Sequence, residues 1–190
     1  MRYIDKSFSN LLEIKQSKFI AHLVPYSLYN STLQELKNSH PKARHFVTAY
    51  RYLNEYKQIV EHSSDDGEPN GTSGKPSLFV LQGADMINCA VVIVRYFGGT
   101  KLGTGGLVRA YSDAVNLVLE SAILKKYEIQ ITKEISFEYS NLRKIEYECD
   151  LLNINIINKL FDIKLVYKIE ASQENIDKFL RRFERILKVK

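Results

Sequence analysis

Two stretches carry the residue types from which a site can be built. The first sets Asp65, Asp66 and Glu68 among glycine and proline and closes on Lys75. The second runs from Phe97 to Arg109, with Gly98, Gly99, Gly103, Gly105 and Gly106 placed around Lys101 and Thr104, and passes into apolar residues at helical spacing. The amide groups and dipole at a helix N-terminus favour an anion, and glycine lets backbone approach a ligand closely. Lys101 in the loop, Arg109 one turn into the helix, and Lys75 and Arg95 beside the block add charge suited to phosphate. All nine glycines of the chain fall between Gly67 and Gly106, which points to two shaped loops rather than scattered turns.

Neither loop completes a named motif. Counted from Gly98, the phosphate-loop spacing reaches Gly103, but Thr104 follows where a lysine is needed. The dinucleotide pattern fails because Gly103-Thr104-Gly105 runs into Gly106-Leu107-Val108. The alternative is that these glycines serve tight turns and packing, with Arg109 paired to Asp113 one turn on. In the first loop Asp66, Glu68, Asn70 and Gly71 imitate the start of a calcium loop, yet its twelfth position is Ser77 rather than glutamate. Carboxylates beside glycine and proline more commonly order turns and cap helices. No metal or cofactor is therefore expected. Gly71-Thr72-Ser73-Gly74 does not form a nucleophile elbow, and His45, beside Arg44, has no second histidine at ligand spacing. No catalytic residue is assigned. Arg44, His45, Asp65, Asp66 and Glu68 are expected as partners of the loops.

Positioning these residues requires a recognisable set of elements. Leu11 to Val24 reads as extended, broken by charge at Glu13 to Lys18. A helix capped by Ser27 or Ser31 carries Leu33 and Leu36 and stops before His40-Pro41. His45–Tyr52 and Lys57–His62 read as a half-buried hairpin, and Pro76 opens a helix with Leu78, Phe79 and Leu81 on its apolar side. Asn88–Tyr96 is apolar on both faces and so predicts a central strand. In the helix after the second loop Leu107, Ala110, Tyr111, Ala114, Leu117, Val118 and Ser121 recur at 3–4 spacing, while Arg109, Asp113, Asn116 and Glu120 face elsewhere. Residues 125–128 form a charged joint, after which Ile129 to Tyr139 alternates as an amphipathic strand. A helix with Leu142, Ile145, Cys149 and Leu152, a hairpin around Asp162, and a final helix capped by Ser172 complete the chain. That last helix carries an apolar stripe from Ile176 to Leu187. Opposite it lies a basic row, Lys178, Arg181, Arg182 and Arg185, which reads equally as a solvated face or as a phosphate track. Lys188 to Lys190 remain for one short strand. The boundary falls near Lys126, giving domains 1–126 and 127–190.

Composition sets the class. The chain is 190 residues long, 45% hydrophobic and 26% charged, with a net charge of +5 that permits nucleic-acid contact without requiring it. Its longest apolar run, Cys89 to Val94, is strand-sized, far short of the roughly 20 residues that span a bilayer. Two cysteines 60 positions apart form no framework, and the N-terminus lacks the layout of a signal peptide, so a reduced, cytoplasmic protein without membrane association is expected.

The two glycine blocks, SSDDGEPNGTSGKP and VVIVRYFGGTKLGTGGLVRAYSDAV, together with KQSKFIAHL, HPKARH and AYRY, closely resemble the Impact/YigZ family across essentially the whole chain. The resemblance implies an α+β protein: an N-terminal domain like ribosomal protein S5 domain 2, then a small ferredoxin-like α/β-sandwich, a pairing similar to the last two domains of a translocating elongation factor. It also implies binding to RNA or the ribosome and a link to translation or its regulation, including a protein partner in the translation machinery. Eukaryotic members carry a further N-terminal domain and restrain a starvation kinase pathway; that role is not expected without the domain. Val47 stands where members commonly have cysteine, and the last strand is cut short. Peptidase activity, assigned to some relatives, is not expected, because no nucleophile or metal set is present. The leading expectation is thus a non-enzymatic protein whose glycine loops hold phosphate backbone. The alternatives are a small-molecule enzyme acting on a phosphorylated substrate at the same loops, and a protein-binding module.

Overall fold

The computed structural model describes residues 1–189 and divides into two compact units, Met1–Tyr127 and Glu128–Lys190. In chain order the first unit holds β1 (Arg2–Tyr3), β2 (Phe8–Ile14), β3 (Ser17–Pro25), α1 (Tyr29–Ser39), β4 (His45–Leu53), β5 (Ile59–Ser64), α2 (Gly74–Gly83), β6 (Cys89–Tyr96), α3 (Thr104–Ser121) and β7 (Lys125–Lys126). The second holds β8 (Gln130–Phe137), α4 (Leu142–Leu151), β9 (Asn155–Phe161), β10 (Leu165–Ser172), α5 (Gln173–Arg182) and β11 (Lys188–Val189). The class is α+β.

The first unit is built on an antiparallel sheet in the order β2-β3-β6-β4-β5. β6 is central, and every residue from Cys89 to Arg95 is buried. Its alternation serves two layers: Cys89, Val91 and Ile93 pack with α2 and α3, whereas Val92 and Val94 meet α1 on the opposite face. The same parity sends Arg95 to the α2/α3 side, at the end of the strand. β2 and β3 meet in a two-residue turn in which Lys15 and Gln16 both take positive φ, 47° and 65°. α1 begins without a side-chain cap: a 3-10 turn at Tyr26–Leu28 leads into it, and the Ser31 hydroxyl instead donates to the Leu28 carbonyl at 3.0 Å.

α3 buries Val115 and Leu119 in addition to Leu107, Ala110, Tyr111, Ala114 and Val118. Leu117, expected inside, is half-buried, because the stripe follows the slower 3.6-residue rotation of a helix pressed on β2, β3 and α2. The charged joint is also more ordered than its composition suggests. Lys125 and Lys126 pair with Tyr3 and Arg2, an ion pair joins Lys125 to Asp5, and Tyr3 packs edge-on to Tyr127.

In the second unit the antiparallel sheet runs β11-β8-β10-β9. α4 and α5 cover one face, placing Ile145, Cys149, Ile176 and Phe179 against Ile135, Phe137, Leu165, Tyr167 and Ile169. The Ser172 hydroxyl accepts from the Asn175 amide at 3.3 Å and so caps α5. α5 ends sooner than its apolar stripe suggests. Phe183 is the C-cap, and the amides of Ile186 and Leu187 turn back onto its carbonyl. That turn lets Lys188 and Val189 pair with Ser136 and Ile135. Lys190, assigned to the same strand from sequence, lies outside the described residues.

Candidate functional site

The first loop spends its acidic residues inward. One oxygen of Asp65 accepts from the amides of Ser73 (3.0 Å) and Gly74 (2.8 Å) and from the Ser73 hydroxyl (2.6 Å), and the other accepts from the Gly71 amide (2.8 Å). This carboxylate caps α2 from nine residues upstream of Gly74. Burial tends to raise its pKa, but the hydrogen bonds from Ser73, Gly71 and Gly74 outweigh that and hold it below the usual value. Asp66, with φ at 44°, accepts from the Phe46 amide at 2.6 Å and pins the loop to the start of β4. Its carbonyl accepts the Nδ1 proton of His45 at 2.8 Å, so neutral His45 keeps Nε2 as an acceptor.

Glu68 goes deeper. It forms a buried ion pair with Arg95, the two side chains being 3% and 7% exposed, and its Oε1 also accepts from the Tyr111 hydroxyl at 2.7 Å. Burial first, and then the adjacent Glu68 charge and hydrogen bond, push the Tyr111 pKa up, so its hydroxyl stays a donor. The Arg95 guanidinium lies 5.4 Å from the centre of the Phe19 ring and 5.8 Å from that of Phe97. Its Nε is buried and has no hydrogen-bond partner among the described residues.

The second loop leaves β6 and enters α3. Gly98 packs where a Cβ would stand 2.1 Å from the Gln16 carbonyl carbon, so only glycine fits against the β2–β3 turn. Gly103, at φ 73°, is the N-cap of α3 and brings no side chain to its first amides. Those amides have no acceptor within the helix and carry the positive end of its dipole.

Between these loops opens a cleft of about 790 Å³. Lys42, Arg44 and Lys101 stand around it, Glu68 and Arg95 contribute to its wall, and Phe97, Gly103, Thr104 and His45 complete the polar and aromatic lining. None of Lys42, Arg44 and Lys101 forms an ion pair among the described residues. With Asp65 and Asp66 turned into the loop and Glu68 neutralised by Arg95, the cleft presents unpaired cations and amides among the described residues and is suited to a phosphate-bearing anion.

Of the residues expected from sequence, Arg44, His45, Glu68, Arg95, Lys101, Gly103 and Thr104 come together here. Lys75 does not; it borders a separate depression with Phe79 and Val108. Arg109 is exposed on α3 outside the cleft lining, and Asp65 and Asp66 serve the loop rather than the cleft. The basic row of the second unit is broken: Lys178 pairs with Glu174 at 2.7 Å, Arg182 with buried Glu148 at 2.5 Å, and Arg185 lies past the end of α5. Lys42, Phe97 and Tyr111 are additional. Phe97 had a signal, an apolar ring ahead of a Gly-Gly pair; Tyr111 reads only as core until its hydroxyl is seen on Glu68.

Comparison with known proteins gives a consistent result. The family model of the Impact N-terminal domain matches residues 15–119. An IMPACT family member of Haemophilus influenzae is 34% identical, over 88% of this chain and 82% of its own length. The IMPACT family member YigZ of Escherichia coli is 33% identical, over 88% and 83%. A crystal structure described as that of a hypothetical protein superposes with a TM-score of 0.68 at 30% identity, covering 99% of this chain and 95% of its own.

Proposed function

This chain belongs to the Impact family, and we propose that it is an RNA- or ribosome-associated protein linked to translation or its regulation, holding phosphate at the cleft between its glycine loops. The observation that carries the proposal is the uncapped N-terminus of α3 facing a cleft bordered by Lys42, Arg44, Lys101 and Arg95. The link to translation comes from the family resemblance of the loops. We read the first domain, 1–126, as like ribosomal protein S5 domain 2. The second, 127–190, we read as ferredoxin-like, which the β11-β8-β10-β9 order supports, since first and third strands are central. A cytoplasmic setting accords with two free, buried cysteines.

RNA binding measured across a salt series tests the proposal. Affinity should fall as salt rises, and Lys101→Ala or Arg44→Ala should each lower the log–log slope by about 1. Affinity indifferent to salt, with no loss of RNA or ribosome co-sedimentation in these variants, would overturn it.

A second reading is favoured by the concavity of the site. A bounded cleft of about 790 Å³ lies within the usual range for small ligands, so an enzyme acting on a phosphorylated substrate, with His45 Nε2 as base, fits the same walls. Thermal stabilisation by nucleotide and magnesium with slow turnover would select it.

A further inference from the structure

The cleft holds groups that a simple phosphate track does not need. Besides the cations and the α3 amides, Glu68 lies in its wall, buried against Arg95. Its Oε1 is engaged twice, and its Oε2 accepts no hydrogen bond among the described residues. A phosphate driven toward Glu68 would meet a carboxylate, so the charged end of a ligand belongs with Lys101 and the α3 amides. What reaches Glu68 must be neutral and must donate hydrogen bonds. Phe97 also lines the cleft, 55% exposed and beside the Arg95 guanidinium. An exposed ring there contributes little to the core, but it offers a face on which a planar group can stack.

From this juxtaposition we infer that the cleft takes a single nucleotide unit bearing a terminal phosphate: the phosphate at the start of α3, the base on Phe97, and N–H donors of the base edge toward Glu68. The inference rests on the phosphate reading above and narrows it. A strand passing through would place several phosphates in succession, whereas the unpaired cations and free amides gather in one bounded cleft. Carboxylate acceptance favours guanine, whose adjacent N1–H and N2–H groups both donate, over uracil, which offers one. A free nucleoside monophosphate and the phosphorylated end of an RNA share this chemistry.

Calorimetric titration of the whole chain at low salt tests it, with GMP, UMP, ribose 5-phosphate and inorganic phosphate as probes. GMP should bind about tenfold tighter than ribose 5-phosphate, the gain expected of one stacked base, and tighter than UMP. Phe97→Ala should erase that advantage while leaving ribose 5-phosphate unchanged, and Lys101→Ala should weaken all four probes. Both side chains are exposed, so neither change opens the core. GMP binding no tighter than ribose 5-phosphate, or Phe97→Ala weakening every probe equally, overturns the inference. If a longer RNA binds in a salt-dependent manner and GMP does not compete, the single-unit site fails while the RNA reading stands. If no RNA and no phosphate binds, both fail. A short RNA with a 5′-phosphate binding more tightly than its 5′-hydroxyl counterpart and than GMP identifies the strand end as the source; GMP binding tighter than the RNA identifies the free nucleotide.

Discussion

Replacing Glu68 by alanine should destabilise the first unit severely. The side chains of Glu68 and Arg95 are 3% and 7% exposed, so the change strands a buried guanidinium beside the Phe19 and Phe97 rings without its carboxylate. Removing one partner of such a pair costs about 3–5 kcal/mol, and the Tyr111 hydroxyl loses its acceptor at the same time. For a unit of this size that corresponds to a fall in melting temperature of roughly 10–20 °C. Urea unfolding followed by circular dichroism measures it. Glu68→Leu with Arg95→Met forms the companion variant: with both charges gone, most of the loss should return, because apolar groups of similar volume commonly replace a buried pair without net cost. A loss below about 1 kcal/mol in the single variant, the size of a solvent-screened pair, would refute the reasoning.

Two further outcomes follow from the loops. Gly98→Ala should lower stability by at least about 1–3 kcal/mol, since its Cβ would lie 2.1 Å from the Gln16 backbone, whereas Gly105→Ala, with nothing within 4 Å, should leave the melting temperature level or slightly higher. Asp65, whose carboxyl is held below its ordinary value of 3.8, contributes stability that is present above that pH and lost as the pH falls through its folded-state value. The stability gap between wild type and Asp65→Asn, measured by urea unfolding, should therefore be full near pH 6 and shrink below about pH 4; a gap independent of pH would mean that the Asp65 charge does not hold the loop.

What could be read from sequence depended on how local each signal was. β6 and α3 were legible because seven buried residues in succession and a 3.6-residue stripe belong to one segment each. β1 and β7 were not, since two-residue strands have no period and are defined by each other. At the site, the two glycine loops were visible as composition, but their wiring was not: Glu68 meets Arg95 27 positions on and Tyr111 43 positions on. Arg109 is near the phosphate set in sequence only. Two positions beyond Leu107, which lines the cleft, it points about 200° further round the helix and faces elsewhere. Asp65 and Asp66 stand in sequence as partners for either loop, and geometry alone shows that backbone amides absorb both carboxylates.

Along β6 the parity that selects Cys89, Val91 and Ile93 for the α2/α3 layer calls for an apolar residue next, and the chain places a guanidinium there with a carboxylate to neutralise it. A buried ion pair is weak evidence for stability, because an apolar pair of the same volume would hold the strand end at least as well. Its presence is better accounted for by what it does at the surface it adjoins. Glu68 holds Arg95 by one nitrogen, the Phe19 and Phe97 rings lie beside the guanidinium, and Nε is left without a partner among the described residues. The doubly apolar variant separates the two roles: a protein as stable as wild type that has lost the preference for GMP over ribose 5-phosphate assigns the pair to the ligand, and one that keeps it assigns the pair to the fold.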